Sequence, residues 1–244
     1  MALHLVLRLE APLMSFGGDM VDAYGVVRDF PARSMVTGLI ANALGWDRAD
    51  AGLHADLQAR IIMGSVRVRE GRRVRDFQTA ALNAADKGWT TYGKPEGRAG
   101  GAATYNAPHI RYRDGDADAL VLVTLRLDPA ENAPDLAAVA AALNAPQRPL
   151  FIGRKPFVPS LPLVAGQVEA ATVLDALRAA IALLDAPSPS AADFAAQWPL
   201  DEGVLAAPQD RSRTEELTDE RNWHSGVHAG LRRVVTGRIT GVET

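Results

Sequence analysis

The order in which hydrophobic periodicities follow one another limits the folds open to this chain more than any other feature of the sequence. Leucine recurs at every second position of residues 3–9, which is the period of a strand with one buried face. Apolar residues from Met35 to Leu44 then recur with helical spacing, and Gly45 follows as a C-terminal stop. Ser34 is the predicted N-cap of that helix. The chain is therefore expected to open with a strand and a helix.

Six more elements are predicted before residue 170. A short helix covers Leu53 and Leu57, and two strands that share an arginine-bearing exposed face are joined by a tight hairpin turn at Glu70-Gly71. The predicted ranges are 62–69 and 72–77 for these strands, 117–127 for a further strand, 135–143 for a helix and 161–169 for a last strand. The order βα, ββ, αβ is that of the ferredoxin-like fold, which RNA-recognition domains also use.

The predicted fold class is therefore α+β, with a ferredoxin-like, RRM-like antiparallel sheet that forms a palm over residues 1–170. Residues 83–106 are poor in aliphatic side chains and rich in glycine, which predicts a protrusion or a mobile loop. Residues 171–244 are predicted to be a C-terminal extension. It contains a helix over 172–184, a linker with proline and serine at 186–190 and an arginine-rich finish.

Composition restricts the class of protein further. With 244 residues and 48% hydrophobic content, the chain can bury a core as one large domain or as a domain with an extension. It has no cysteine, which excludes disulfides and cysteine-ligated metal sites. The first ten residues predict a strand rather than a signal peptide, and no stretch is long and uncharged enough to cross a bilayer. We therefore expect a cytoplasmic protein with no membrane partner.

Positive charge is concentrated in one region, although the net charge of the chain is −3. Between Arg67 and Arg113 there are ten Lys or Arg and four Asp or Glu, a net charge of +6. Five arginines lie in the predicted hairpin, at positions 67, 69, 72, 73 and 75. Such a patch attracts a polyanion, and arginine is a good bidentate ligand for phosphate. The alternative is a solvated hairpin whose exposed face is charged.

Two further segments predict anion binding. In the segment 149–156, Gly153, Arg154 and Lys155 follow one another on a turn between prolines, and a glycine lets backbone N–H groups approach a phosphate. Arg28, Arg33, Ser34 and Thr37 surround the start of the first long helix, whose unpaired N–H groups and dipole favour a phosphate. A simple N-cap explains Ser34 without any ligand.

Several motifs occur in an order that resembles one family. They are the strand 3–9 with Ala11-Pro12-Leu13-Met14-Ser15-Phe16-Gly17, the stretch 30–40, Arg75-Asp76-Phe77-Gln78-Thr79, Arg111-Tyr112-Arg113, the segment 149–156, and the C-terminal stretches 219–224 and 232–235. The chain resembles CasD, the subunit of type I-E CRISPR Cascade complexes, in the RAMP superfamily, that caps the 5′ handle of the guide RNA. Gly115-Asp116 departs from the family, which usually has a bulky aromatic-aliphatic pair there.

The resemblance implies a function, a set of partners and a site. The protein would bind the crRNA 5′ handle through its sheet, the helix start, the arginine hairpin and the Gly153 turn, in contact with the adjacent Cascade backbone subunit and the large subunit. Target DNA would be met indirectly, through the complex, in antiviral defence. The implied RNA-binding residues are Ser15, Arg28, Arg33, Ser34, Thr37, Arg75, Thr79, Arg111, Tyr112, Arg113, Arg154 and Lys155.

The resemblance also implies that the glycine-rich excursion is a β-hairpin thumb, inserted at about residues 78–116, that wedges against the RNA. Trp89, Tyr92, Arg98 and Tyr105 are its candidate contact residues. Aromatic side chains on such a finger can stack on unpaired bases. They could equally form a small hydrophobic cluster that anchors the loop.

Enzymatic and metal-dependent alternatives have less support in the sequence. His224 and His228 have helical metal-ligand spacing but no evident third ligand, and the Asp114, Asp116, Asp118 alternation lacks the glycine and glutamate of a calcium loop. No cofactor, metal or catalytic residue is expected.

Two other functions remain open. The first is a metal-independent endoribonuclease that processes repeat RNA, as in type I-C systems. His109 with Tyr105 and Tyr112 is its only candidate group, and that enzyme's lysine is replaced by Pro108. The second is an assembly subunit whose arginines meet acidic protein surfaces instead of RNA.

Overall fold

The computed structural model describes residues 1–80, 87–89, 95–96, 109–184, 193–204 and 212–240. The helices in these ranges are α1 (Arg33–Ala43), α2 (Ala51–Arg60), α3 (Leu136–Asn144) and α4 (Val173–Ala182). The strands are β1 (Ala2–Glu10), β2 (Leu13–Met14), β3 (Gly17–Val21), β4 (Tyr24–Val27), β5 (Ile61–Arg69), β6 (Arg72–Ala80), β7 (Gly88–Trp89), β8 (Pro95–Glu96), β9 (His109–Ala117), β10 (Leu120–Leu127), β11 (Val164–Ala170), β12 (Phe194–Pro199), β13 (Arg213–Leu217) and β14 (Arg232–Ile239). Among the described helices, none is long and apolar enough to cross a membrane.

The larger sheet has seven strands in the order β11-β1-β10-β5-β12-β14-β13. Its first four strands are antiparallel and come from the predicted βα, ββ, αβ segments, so they have the ferredoxin-like order in which the last strand lies beside the first. The prediction of an α+β chain with this fold is confirmed. Beyond those four strands, β12 pairs with β5, and β14 and β13 extend the sheet.

One face of the sheet is buried under α1 and α3. The alternating leucines of β1, at positions 5, 7 and 9, are completely buried there with Val121, Val123 and Leu125 of β10. Val36, Leu39 and Ile40 of α1 and Val139 and Leu143 of α3 pack against them. The period-two and helical patterns of the sequence therefore meet in one core, as their spacing predicts.

The other face of the same sheet is covered by α4. Val6, Val66 and Leu122, which alternate with the residues of the first core, pack against α4 and against Trp198 of β12. Because both faces of the ferredoxin-like strands are covered by helices, neither face is open to a ligand. RNA binding through this sheet stays a prediction.

The predicted β5–β6 hairpin is wrong. The chain turns at Gly71, which has a φ of 69°, but β5 already has β10 on one edge and β12 on the other. β6 therefore leaves the sheet and pairs with β9 over nine residues, from Arg72 opposite Ala117 to Ala80 opposite His109. The predicted strand 117–127 likewise divides, because Asp118 has a φ of 55° and turns the chain from β9 into β10.

Candidate nucleic-acid interface

β9 is the central strand of a second, smaller sheet. β6 occupies one of its edges, and the other edge is shared by β4, which runs parallel at Tyr112, and by β2 near Ala117. Side chains at alternate positions of a strand share a face. Phe77 and Arg75 of β6 therefore lie on the same face as their register partners Tyr112 and Asp114 of β9.

Three aromatic rings form a cluster on this face. Tyr24 of β4 stacks on Tyr112 with ring centroids 5.1 Å apart and planes 13° apart, and Phe77 meets Tyr112 edge-on at 5.7 Å. Phe77 is 56% exposed and Tyr24 is 48% exposed. The guanidinium carbon of Arg75 lies 5.7 Å from the centroid of Tyr24 and 5.8 Å from that of Tyr112. We call Tyr24, Arg75, Phe77 and Tyr112 the β9 platform.

An ion pair holds the arginine of the platform in place. Arg75 donates from Nε to Asp114 Oδ1 at 2.8 Å and from Nη2 to Oδ2 at 3.2 Å. The hydrogen bond from Arg75 lowers the pKa of Asp114 below its ordinary value, and the Asp114 carboxylate raises the pKa of Arg75 in return. The guanidinium is thus fixed beside the rings and remains cationic, an arrangement suited to a base and its phosphate.

The Gly153 turn packs against the opposite side of β9. Arg154 donates from Nη2 to the Asp114 carbonyl oxygen at 2.9 Å, and Ser15 donates its N–H to the Ile152 carbonyl at 3.2 Å. Burial lowers the pKa of Arg154, and the nearby positive charge of Arg113 lowers it further. Two arginines that repel each other at a half-buried position would both be stabilised by a shared anion. Lys155, beside them, is exposed.

Part of the predicted site is therefore assembled around one strand. Ser15, Arg75, Tyr112, Arg113 and Arg154 meet at β9, although Ser15 is only 3% exposed and supports the turn from inside. Thr79 lies on the platform face at the register position of Ile110, and Arg111 lies on the opposite face.

Two platform residues were missed by the sequence reasoning. Phe77 stands inside the motif that drew attention to Arg75, and its position two residues further along a strand was the available signal. Tyr24 lies on the other side of Tyr112 from Phe77, and no local pattern indicates that β4 pairs with β9.

The start of α1 lies apart from the β9 platform, and the prediction of Ser34 as its N-cap is wrong. Ala32 is the N-cap of α1, and Ser34 lies inside the helix and is buried. The free N–H groups are satisfied by Asp219, whose Oδ2 accepts from Arg33 N–H at 3.1 Å and whose carbonyl accepts from Ser34 N–H at 3.0 Å. An internal carboxylate thus occupies the position predicted for a phosphate.

Neighbouring side chains at the helix start are also engaged. Arg33 pairs with Glu220 at 2.7 Å, and Arg28 donates to the Thr218 carbonyl at 3.1 Å. Thr37 is completely buried and donates its hydroxyl to the Arg33 carbonyl. The Arg33–Glu220 pair joins α1 to the segment after β13.

The predicted arginine patch is largely neutralised by carboxylates. Arg67 is only 4% exposed, so it does not lie on the predicted exposed face. Its Nη2 is 2.9 Å from Oδ2 of Asp116, and Oδ1 of the same carboxylate accepts a hydrogen bond from Arg73 Nε at 2.7 Å. Arg69 pairs with Glu10. The buried Asp116 that holds two arginines is the residue at which the sequence departs from the CasD pattern.

The remaining candidates have the following positions. Trp89 belongs to β7, which pairs with β8, and nothing is described of its side chain; Tyr92, Arg98 and Tyr105 lie outside the described residues. His109 and Tyr112 lie on opposite faces of β9 because three positions separate them. His224 lies in a turn and His228 in an isolated β-bridge with Arg221, so neither is in a helix, and no group of three His, Asp or Glu in the described ranges could hold a metal ion.

Comparisons with known proteins define the class to which this geometry belongs. A chain of a CRISPR RNA-guided surveillance complex superposes with a TM-score of 0.67 at 20% identity, covering 98% of this chain and 90% of its own. A second solved structure, described as a Cas protein, gives a TM-score of 0.57 at 24% identity and covers 97% of this chain and 94% of its own. At these identities the likeness shows that the fold is shared. No curated protein sequence matches the chain.

The family follows from the sequence itself. Residues 4–235, nearly the whole chain, match the family described as CRISPR-associated protein (Cas_Cas5). The chain belongs to this Cas5 family. The predicted CRISPR association is therefore confirmed.

Proposed function

We propose that this Cas5 protein is the RNA-binding subunit of a type I-E Cascade complex and caps the 5′ handle of the mature guide RNA. The observation that carries the proposal is the β9 platform, where two half-exposed rings and an ion-paired arginine surround Tyr112. Aromatic faces beside arginine are the surface on which proteins stack unpaired bases. Arg113 lies on the opposite face of β9, and with Arg154 and Lys155 of the adjoining turn it supplies charge for backbone phosphates on that side.

The likeness to a chain of an RNA-guided surveillance complex supports assembly with guide RNA and other subunits. The type I-E assignment rests on the ordered motifs that resemble CasD. The adjacent backbone subunit and the large subunit are the proposed protein partners, and target DNA is engaged through the complex.

The platform is tested by the affinity of the purified chain for labelled guide RNA with its 5′ handle. Phe77→Ala removes an exposed ring, so the fold should persist while binding weakens by about tenfold, the loss expected for one stacked base. Leu161→Ala, which removes a side chain 47% exposed outside the site, is the matched control and should bind normally. Equal affinities for both variants would contradict the proposal.

A non-catalytic role is part of the proposal. It is supported by the placement of His109 and Tyr112 on opposite faces of β9, which separates the two groups that an endoribonuclease would use together. Incubation with unprocessed repeat RNA in EDTA, followed by denaturing electrophoresis, should recover intact RNA. A single cleavage product that disappears in His109→Ala would establish the processing enzyme instead.

The protein-only alternative is separated from RNA binding by ribonuclease treatment of the assembled complex. If the arginines at β9 contact RNA, digestion releases this subunit from its neighbours. A complex that survives complete digestion of its RNA would mean that these arginines meet acidic protein surfaces.

A further inference from the structure

A pocket lies away from the β9 platform, between α1, α2 and the segment that follows β13. Its volume is about 230 Å³, and it is lined by Gly38, Asn42, Trp46, Arg48, His54, Arg221 and Trp223. The rings form a continuous wall: His54 meets Trp46 edge-on at 5.6 Å and Trp223 at 4.6 Å. We call it the Trp46–Trp223 pocket.

The pocket also contains two arginines, Arg48 and Arg221, and the guanidinium carbon of Arg221 lies 5.5 Å from the centroid of the Trp223 ring. A Cβ placed on Gly226 would lie 3.3 Å from Nη2 of both Arg48 and Arg221, so the two guanidinium groups flank one point. Neither is in an ion pair with any described residue, whereas Arg33 close by pairs with Glu220. Two adjacent, uncompensated guanidiniums favour an anion that both can reach, and phosphate fits their hydrogen-bonding geometry.

The wall is held rigidly before any ligand arrives. Gln58 is 8% exposed, and its Oε1 accepts from both the Arg221 N–H and the Trp223 indole N–H at 3.1 Å. Its Nε2 donates to the Arg221 carbonyl at 3.0 Å. Asn222 Oδ1 accepts from two N–H groups of the next turn, which fixes Gly226 beside the arginines. A preorganised site loses little entropy when it binds.

We propose that the Trp46–Trp223 pocket binds a single unstacked nucleotide, with its phosphate between Arg48 and Arg221 and its base against the aromatic wall. Flat rings beside two guanidiniums that pair with no described carboxylate match a planar base joined to a phosphate better than they match a carboxylate side chain, which has no flat surface to stack. The site is distinct from the β9 platform and does not depend on the function proposed for it.

The test uses adenosine 5′-monophosphate and the indole N–H signals of the ¹⁵N-labelled protein, assigned with Trp46→Phe and Trp223→Phe. The chain has four tryptophans, and Trp198 is completely buried, so the signals of Trp46 and Trp223 report on the pocket. Titration should shift these two signals saturably. Adenosine and inorganic phosphate, each of which supplies half of the ligand, should each shift them at least about tenfold less effectively.

Arg48→Ala is the decisive variant, because Arg48 is exposed and its removal leaves no buried charge unpaired. It should weaken the nucleotide by about tenfold or more, the loss of one charge-assisted contact. Arg233→Ala, which removes an exposed arginine that does not line the pocket, changes the net charge equally and should leave the affinity unchanged. Unmoved indole signals, equal loss in both variants, or phosphate alone acting as well as the nucleotide would overturn the proposal. Guide RNA is absent throughout, so failure here leaves the β9 platform untouched.

Discussion

The turn that carries Arg154 depends on one glycine. Gly153 has a φ of 88°, and a Cβ there would lie 1.8 Å from the carbonyl oxygen of Ser15. The sequence pattern correctly predicts that a glycine is needed at position 153, but the predicted reason is the approach of backbone N–H groups to a ligand. The structure assigns it to close packing of the turn against the chain before β3, and that packing brings Arg154 to β9.

Gly153→Ala should therefore destabilise the protein and weaken guide-RNA binding together. The left-handed conformation alone costs roughly 1–2 kcal/mol for a residue with a Cβ, and the contact with Ser15 adds to it. The measurement is the free energy of unfolding in urea. Gly52→Ala is the control: it lies in α2 with nothing within 4 Å of its Cβ, and it should gain up to about 1 kcal/mol. Wild-type stability in the Gly153 variant would show that the turn is not held against Ser15.

Helices whose capping residues lie next to them in the sequence were predictable. Asp135 and Thr172 cap α3 and α4 with their own side chains, and both helices begin where the sequence predicts. α1 is also present, but its cap comes from Asp219, 186 residues away, so no local pattern indicates it. The partner of β6 is likewise decided by which edges of β5 are already occupied, a property of the assembled sheet.

The contact between α1 and the segment after β13 predicts a pH dependence. Burial by itself would raise the pKa of Asp219, but the hydrogen bonds and charge of Arg232, with the N–H and charge of Arg33, outweigh it and lower the pKa. A carboxyl with a lowered folded pKa contributes stability in full above its unfolded value of about 3.9. That contribution is lost as the pH falls from there through the folded pKa.

Asp219→Asn should lower the free energy of unfolding at pH 7 by roughly 3–5 kcal/mol, because it leaves the buried Arg232 without its charge partner. The difference from the wild type should shrink as the pH falls below about 4. Urea unfolding at a series of pH values measures both. Glu216→Gln, in an exposed pair with Arg233, should change stability by less than about 1 kcal/mol. A difference that stays constant down to acid pH would mean that the Asp219 charge is not what stabilises α1.

At the scale of the whole molecule, the two cores share one sheet. The predicted palm, residues 1–170, contains the four ferredoxin-like strands, α1 and α3, but the face formed by Val6, Val66 and Leu122 is covered by α4 and β12. Those covering elements belong to the predicted C-terminal extension. The sheet therefore needs both segments to bury its two faces.

A fragment of residues 1–170 is expected to expose that face and to fail as an independent domain. It should bind a hydrophobic dye, lack a cooperative thermal transition and tend to aggregate, since exposed apolar surface of this kind drives association. The full chain under the same conditions is the control. A fragment that melts cooperatively without dye binding would establish that the palm folds by itself.

The pairing of β6 with β9 ends with Ala80 directly opposite His109. The chain thus leaves the smaller sheet and returns to it at neighbouring points, and 28 residues lie between them in the sequence. The residues between Ala80 and His109 could therefore be deleted. A two-residue Asn-Gly connection would close β6 and β9 as a short hairpin with its register intact. Such a shortened protein would allow the proposed RNA binding at the smaller sheet to be measured without the excised residues, and the same junction could accept segments of other lengths.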